Sequence, residues 1–171
     1  MNIIHCITLK HEKNKMRTNM DNTDLQILKI LQKKARIPNV EVARTIGMAP
    51  SAVLERIKKL EAKGIIQGYE VRLNPDMFHC PMIVFLHVYL TSPSQIPQAG
   101  KKIATIDQAL EVHHLAGDDC IVVKLRVRNH GELETILTEQ IGKIESVVKT
   151  RTHITLSTFK ESAAIMIPDQ A

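Results

Sequence analysis

Aromatic side chains make up only 3% of these 171 residues, and tryptophan is absent. A core must therefore be packed from Ile, Val, Leu and Ala. No apolar run approaches the roughly 18 residues that a membrane-crossing helix needs, so no spanning segment is expected. Cys6, Cys80 and Cys120 are far apart, odd in number and form no CxxC, which reads as reduced thiols of a cytoplasmic protein. The eight histidines show no zinc spacing with them. His113 and His114 are neighbours on a predicted strand, so they point to opposite faces and cannot easily share one ion. No orienting acid or oxyanion motif accompanies Cys120. The expectation is a protein without catalytic residues, metal or cofactor.

What is present is an uneven basic charge. The net +5 is concentrated in the first seventy residues: positions 21–70 hold nine basic and six acidic side chains, whereas 71–171 hold ten and eleven. Such a distribution suits a polyanionic partner for the N-terminal half. Residues 1–20 join a short apolar patch to a basic polar run, and Met16 and Met20 offer alternative starts. They read as a disordered, dispensable tail, with a phosphate-binding arm as the rival reading.

Helical periodicity begins near Thr23. Leu25, Leu28 and Leu31, with Ile27 and Ile30, form a stripe to about Lys34, and Asp21, Asn22 or Thr23 can cap it. Ile37-Pro38 breaks the chain, because proline disfavours helix in the residue before it. A second helix is expected over Asn39–Ile46, closed by Gly47. A third starts at Pro50 and ends before Gly64, burying Val53, Ile57 and Leu60. Two short helices followed by a basic one predict a helix-turn-helix that lays the last helix in the DNA major groove. Ile65-Ile66 and Tyr69–Leu73 then read as a short strand or hairpin, broken at Asn74-Pro75.

From residue 82 the pattern changes to strand 83–90, helix 95–106, strands 109–116 and 120–128, helix 131–143 and strand 147–157. That order, βαββαβ, is ferredoxin-like. The fold class is therefore α+β: a winged-type helix-turn-helix over 21–66, a hinge strand or linker over 67–81, a ferredoxin-like domain over 82–160, and a tail over 161–171. The first strand is apolar on both sides, with Ile83, Phe85 and Tyr89 opposite Val84, Leu86 and Val88. One face of a ferredoxin-like sheet has no helices, so a homodimer through that face is expected.

These residues resemble the Lrp/AsnC (leucine-responsive, or feast/famine) regulators over about residues 21–160. The resemblance is carried by Asp24–Leu28 with Ala35-Arg36, Gly47–Val53, Glu55–Ile57, Leu60-Glu61, Gly64–Tyr69 and Leu73–Pro75. It implies a DNA-reading N-terminal domain, a C-terminal domain that binds amino acids or related metabolites, and dimers that assemble to tetramers or octamers. Ala49 stands where the family often has Ser, Cys120 where it often has Asp, and His153 where Tyr is usual.

Within that frame Ser51, Ala52 and Glu55 would meet base edges of double-stranded DNA, Pro50 would start the DNA-binding helix, and Arg44, Arg56, Lys58 and Lys59 would meet phosphates. For Arg56 there is an even alternative, an ion pair with Asp24. Gly117, Asp118 and Asp119 would hold the amino-acid-like effector through open N–H groups and carboxylates, with hydroxyls from Thr150 and Thr152; a plain tight turn is the other reading. The expected function is a metabolite-responsive transcription regulator. The alternatives are an effector-independent architectural DNA-binding protein and, from a different class, a small regulatory subunit of an enzyme.

Overall fold

Asp21 starts the first helix with a reciprocal cap. In the computed structural model, which describes residues 20–169, its carboxylate accepts the Asp24 N–H at 2.9 Å. The Asp24 carboxylate accepts the Asp21 N–H in return at 3.3 Å. Two of the donors that a helix start leaves open are thereby satisfied, worth roughly 1 kcal/mol. The expectation for residues 1–20 lies, apart from Met20, outside the described residues.

Helix α1 spans Asn22–Lys33, α2 Asn39–Ile46 and α3 Pro50–Ala62. Gly47 closes α2 at φ +72°, a backbone setting that favours glycine. Ile27 and Leu31 of α1, Val42 and Ala43 of α2, and Val53, Ile57 and Leu60 of α3 form one buried cluster. Each fully buried aliphatic chain contributes about 1.5–3 kcal/mol, so the cluster fixes how the three helices dock. The strand or hairpin expected over 65–73 does not form. Ile65 and Ile66 fold back onto the helices, and 67–74 has no regular structure. A strand needs a bonded neighbour, and no other described segment pairs with it.

The remaining elements form a separate unit. They are β1 (Met82–Leu90), α4 (Ile96–Ile103), β2 (Ala109–Leu115), β3 (Cys120–Val127), α5 (His130–Thr135) and β4 (Val147–Ile154). Helix α5 runs on into a wider turn over Ile136–Ile141, where the Gly142 N–H reaches back five residues to the Leu137 carbonyl at 2.8 Å. The sheet order is β2-β3-β1-β4, antiparallel throughout, as βαββαβ requires. Val84, Leu86 and Val88 lie opposite Leu125, Val123 and Ile121 and pack against Ile96, Ile103, Leu133 and Ile136.

The described residues divide into 20–71 with 162–169, and 72–161. Residues 162–169 join the first unit through α1: the Gln32 amide donates to the Ile165 carbonyl at 2.7 Å and accepts its N–H at 3.3 Å.

The helix-free face of the sheet is less apolar than β1 alone implies. Ile83 is buried and Tyr89 half-buried, leaving Phe85 at 38% exposure. Register places Lys124, Arg126, Lys149 and His153 beside them, so polar and charged neighbours dilute the apolar surface.

Candidate nucleic-acid interface and small-molecule site

The buried side of α3 leaves Ser51, Glu55, Lys58 and Lys59 turned outward and exposed. Glu55 and Lys58, one turn apart, approach to 3.8 Å, a loose solvated pair. Pro50 occupies the first turn, and Ala49 before it supplies no side-chain cap, so the open N–H end of α3 has no side-chain oxygen on it. Arg44 is exposed in the last turn of α2. Ala52 is half-buried on the flank.

Arg56 takes the second of its two alternatives. Its Nη1 donates to Asp21 Oδ2 at 2.7 Å and to Asp24 Oδ1 at 2.8 Å. The Asp24 N–H, the field of Arg56 and its hydrogen bond together hold the Asp21 carboxyl below the usual carboxylate range. On the opposite flank the Tyr69 hydroxyl donates to Glu61 Oε1 at 2.9 Å. Burial, then the Glu61 carboxylate, pushes that phenol up to about 12.

In the sheet unit, Ala116–Asp119 turn the chain from β2 into β3. Gly117 lies at φ +103° and Asp119 at φ +47°. The first is a conformation that side chains rarely adopt, and the second is one that Asp tolerates. The Asp118 and Asp119 side chains are exposed. Thr150 lies opposite Val88 and Thr152 opposite Leu86, on β4. Because β1 separates β4 from β3, these hydroxyls stand at least two strand spacings from the turn, about 9–10 Å. One copy of the chain therefore brings Gly117, Asp118 and Asp119 together but not Thr150 and Thr152. Cys120 is fully buried, and burial followed by Asp118 and Asp119 pushes its thiol up, the reverse of an activated nucleophile.

Over residues 20–67 the chain matches the family described as winged helix-turn-helix DNA-binding, and over 83–165 the Lrp/AsnC ligand binding domain. It is 31% identical over 157 residues to the leucine-responsive regulatory protein of Klebsiella pneumoniae, covering 91% of this chain and 96% of that protein. The same figures hold for the leucine-responsive regulatory protein of Serratia marcescens. The chain belongs to the Lrp/AsnC family.

Solved Lrp/AsnC proteins share its fold. Escherichia coli AsnC matches with a TM-score of 0.78 at 27% identity, over 87% of this chain and 99% of that one. The leucine response regulatory protein LrpA of Mycobacterium tuberculosis gives 0.74 at 30%, over 87% and 100%. Three residues at the helix unit of this Lrp/AsnC chain escape a periodicity reading: Asp21, Glu61 and Tyr69. Asp21 is legible only as a cap. Glu61 and Tyr69 are eight residues apart across Gly64 and Gly68, and only the fold of that turn joins them.

Proposed function

We propose that the chain regulates transcription as a homodimer or larger assembly whose paired α3 helices read DNA half-sites about one helical turn, roughly 34–36 Å, apart. The observation that carries this reading is the sidedness of α3. Val53, Ile57 and Leu60 are buried while Ser51, Glu55, Lys58 and Lys59 stand exposed along the other side. Lys58, Lys59 and Arg44 supply phosphate attraction, and Ser51 and Glu55 supply groups that discriminate base edges.

An amino acid or related metabolite is the effector. Gly117, Asp118 and Asp119 offer backbone donors for an α-carboxylate and carboxylates for an ammonium group, and Thr150 and Thr152 complete the site from another copy. Self-association is supported by the unpaired stretch after α3, where Tyr69, Val71 and Leu73 alternate and are 49%, 82% and 60% exposed. Binding then shifts the population of assemblies by its differential affinity for them. The cytoplasm suits the unpaired Cys80 and Cys120.

The test is selection of duplexes from a randomised pool, followed by gel-shift titration and a thermal-shift screen with the twenty amino acids. A recovered consensus bound at least a hundredfold tighter than random DNA, with one or more amino acids raising the melting temperature, is expected. Binding that ignores sequence, with no amino acid response, returns the architectural reading.

A further inference from the structure

The buried stripe of Val53, Ile57 and Leu60 sets which side of α3 faces the core, but apolar packing is non-directional and a polar contact on the flank is what can fix the roll more finely. Roll decides which side chains face outward, at about 100° per residue. Arg56 lies on the flank of α3, 30% exposed at the side chain, and a single guanidinium nitrogen grips two carboxylates of α1. Asp24 is itself only 14% exposed, and Asp21 and Asp24 are already locked to each other by the reciprocal cap. The grip is thus anchored to a rigid helix start and not to mobile surface side chains. Both N–H groups of Nη1 are thereby committed to carboxylates and not to phosphate.

We propose that Arg56 is a positioning residue for DNA reading: with Asp21 and Asp24 it fixes the roll of α3, and it is not a phosphate ligand. This inference rests on the reading of α3 as the DNA-contacting helix. It predicts an effect opposite in sign to simple electrostatics. Removing a negative charge near a DNA-binding surface ordinarily tightens binding, whereas here removal of Asp24 loosens the reading helix and weakens it.

The test uses the full chain and two probes: a duplex selected by the wild-type protein from a randomised pool, and a random-sequence duplex of equal length. Arg56→Gln, Asp24→Asn and Lys58→Ala are compared across a salt series below the melting temperature of each. Asn keeps an oxygen for the α1 cap. Arg56→Gln and Asp24→Asn should each weaken binding to the selected duplex by about tenfold, leave random-duplex binding and the salt slope unchanged, and combine non-additively. Lys58→Ala should lower the slope by about one per copy on both probes. Tighter or unaltered binding by Asp24→Asn, or a fall in slope with Arg56→Gln, overturns the proposal. Should Arg56→Gln fail to fold, Asp24→Asn decides the matter alone. If the wild-type protein selects no sequence, the underlying DNA-reading function fails instead.

Discussion

The guanidinium of Arg72 donates to the main-chain carbonyl of Glu161 at 2.8 Å, so the first residue of the sheet unit is bonded to its last. The Glu161 carboxylate accepts from Lys124 at 2.7 Å and from Arg126 at 2.8 Å, two cations of β3 only 13% and 17% exposed. Lys124 also reaches Glu111 on β2, at 2.9 Å. A single glutamate therefore closes the chain over three charges on the helix-free face.

Glu161→Gln should destabilise the sheet unit by about 1 kcal/mol, because Arg126 loses its carboxylate partner and Lys124 one of its two. Urea unfolding would show a lower midpoint with an unchanged slope. Asp169→Asn is the contrast. Its 2.6 Å bond to Lys29 sits on a fully exposed carboxylate, and no measurable shift is expected.

Gly142→Ala should cost about 1 kcal/mol or more. A Cβ there would lie 2.9 Å from the Leu137 carbonyl and 3.0 Å from that of Thr138, both backbone atoms of the wide turn ending α5. The clash exceeds the few tenths to 1 kcal/mol that alanine gains over glycine in the unfolded chain. The same urea experiment checks it.

Tyr69→Phe should remove a late-titrating phenol. The chain has two tyrosines, and the absorbance difference between wild type and this variant should titrate with a midpoint near 12. A folded pKa raised above the unfolded value, about 10, favours the fold while the phenol is protonated. That contribution is complete below pH 10 and lost as pH rises toward 12. A difference titrating at 10 would show that the Glu61 bond is not made.

Acid should unfold the protein through named carboxyls. Glu132 is held low by the Arg128 N–H, then by the Arg128 side chain, and Glu161 is held low by Lys124. Glu111 is also depressed, by Lys124 first. Depressed folded values stabilise above the ordinary carboxylate range, around pH 4, and the contribution is lost as pH falls through them. Stability should be flat from pH 7 to about 5 and drop steeply below 4, less steeply in Glu132→Gln. Circular dichroism against pH reads both.

Element order was legible because periodicity is strong here. Val123, Leu125 and Val127 alternate with Lys124, Arg126 and Arg128, and the stripe of Ile96, Ala99 and Ile103 is helical. Long-range polar pairing was not legible. Lys124 and Arg126 read as ordinary solvent-facing positions, since nothing local says that a residue 35 positions beyond Arg126 folds over them. Arg56 sits on a flank compatible with either phosphate or the Asp24 carboxylate, and the three-dimensional placement of Asp24, with Asp21 beside it, decides between them. The strand expected after α3 does not form: its pattern is that of a strand, but no other described segment pairs with it. Thr150 and Thr152 were grouped with the Gly117 turn by resemblance, and strand order separates them.

Edge strand β4 carries Lys149, Arg151 and His153 on the helix-free side, and Val148 beside them is 61% exposed. Laying two such borders flank to flank would bring Lys149 and Arg151 against like charges, so the outer rim discourages runaway fibre growth even though its backbone groups are unclaimed among the described residues. A segment pairing along that rim would meet the charges of Lys149 and Arg151.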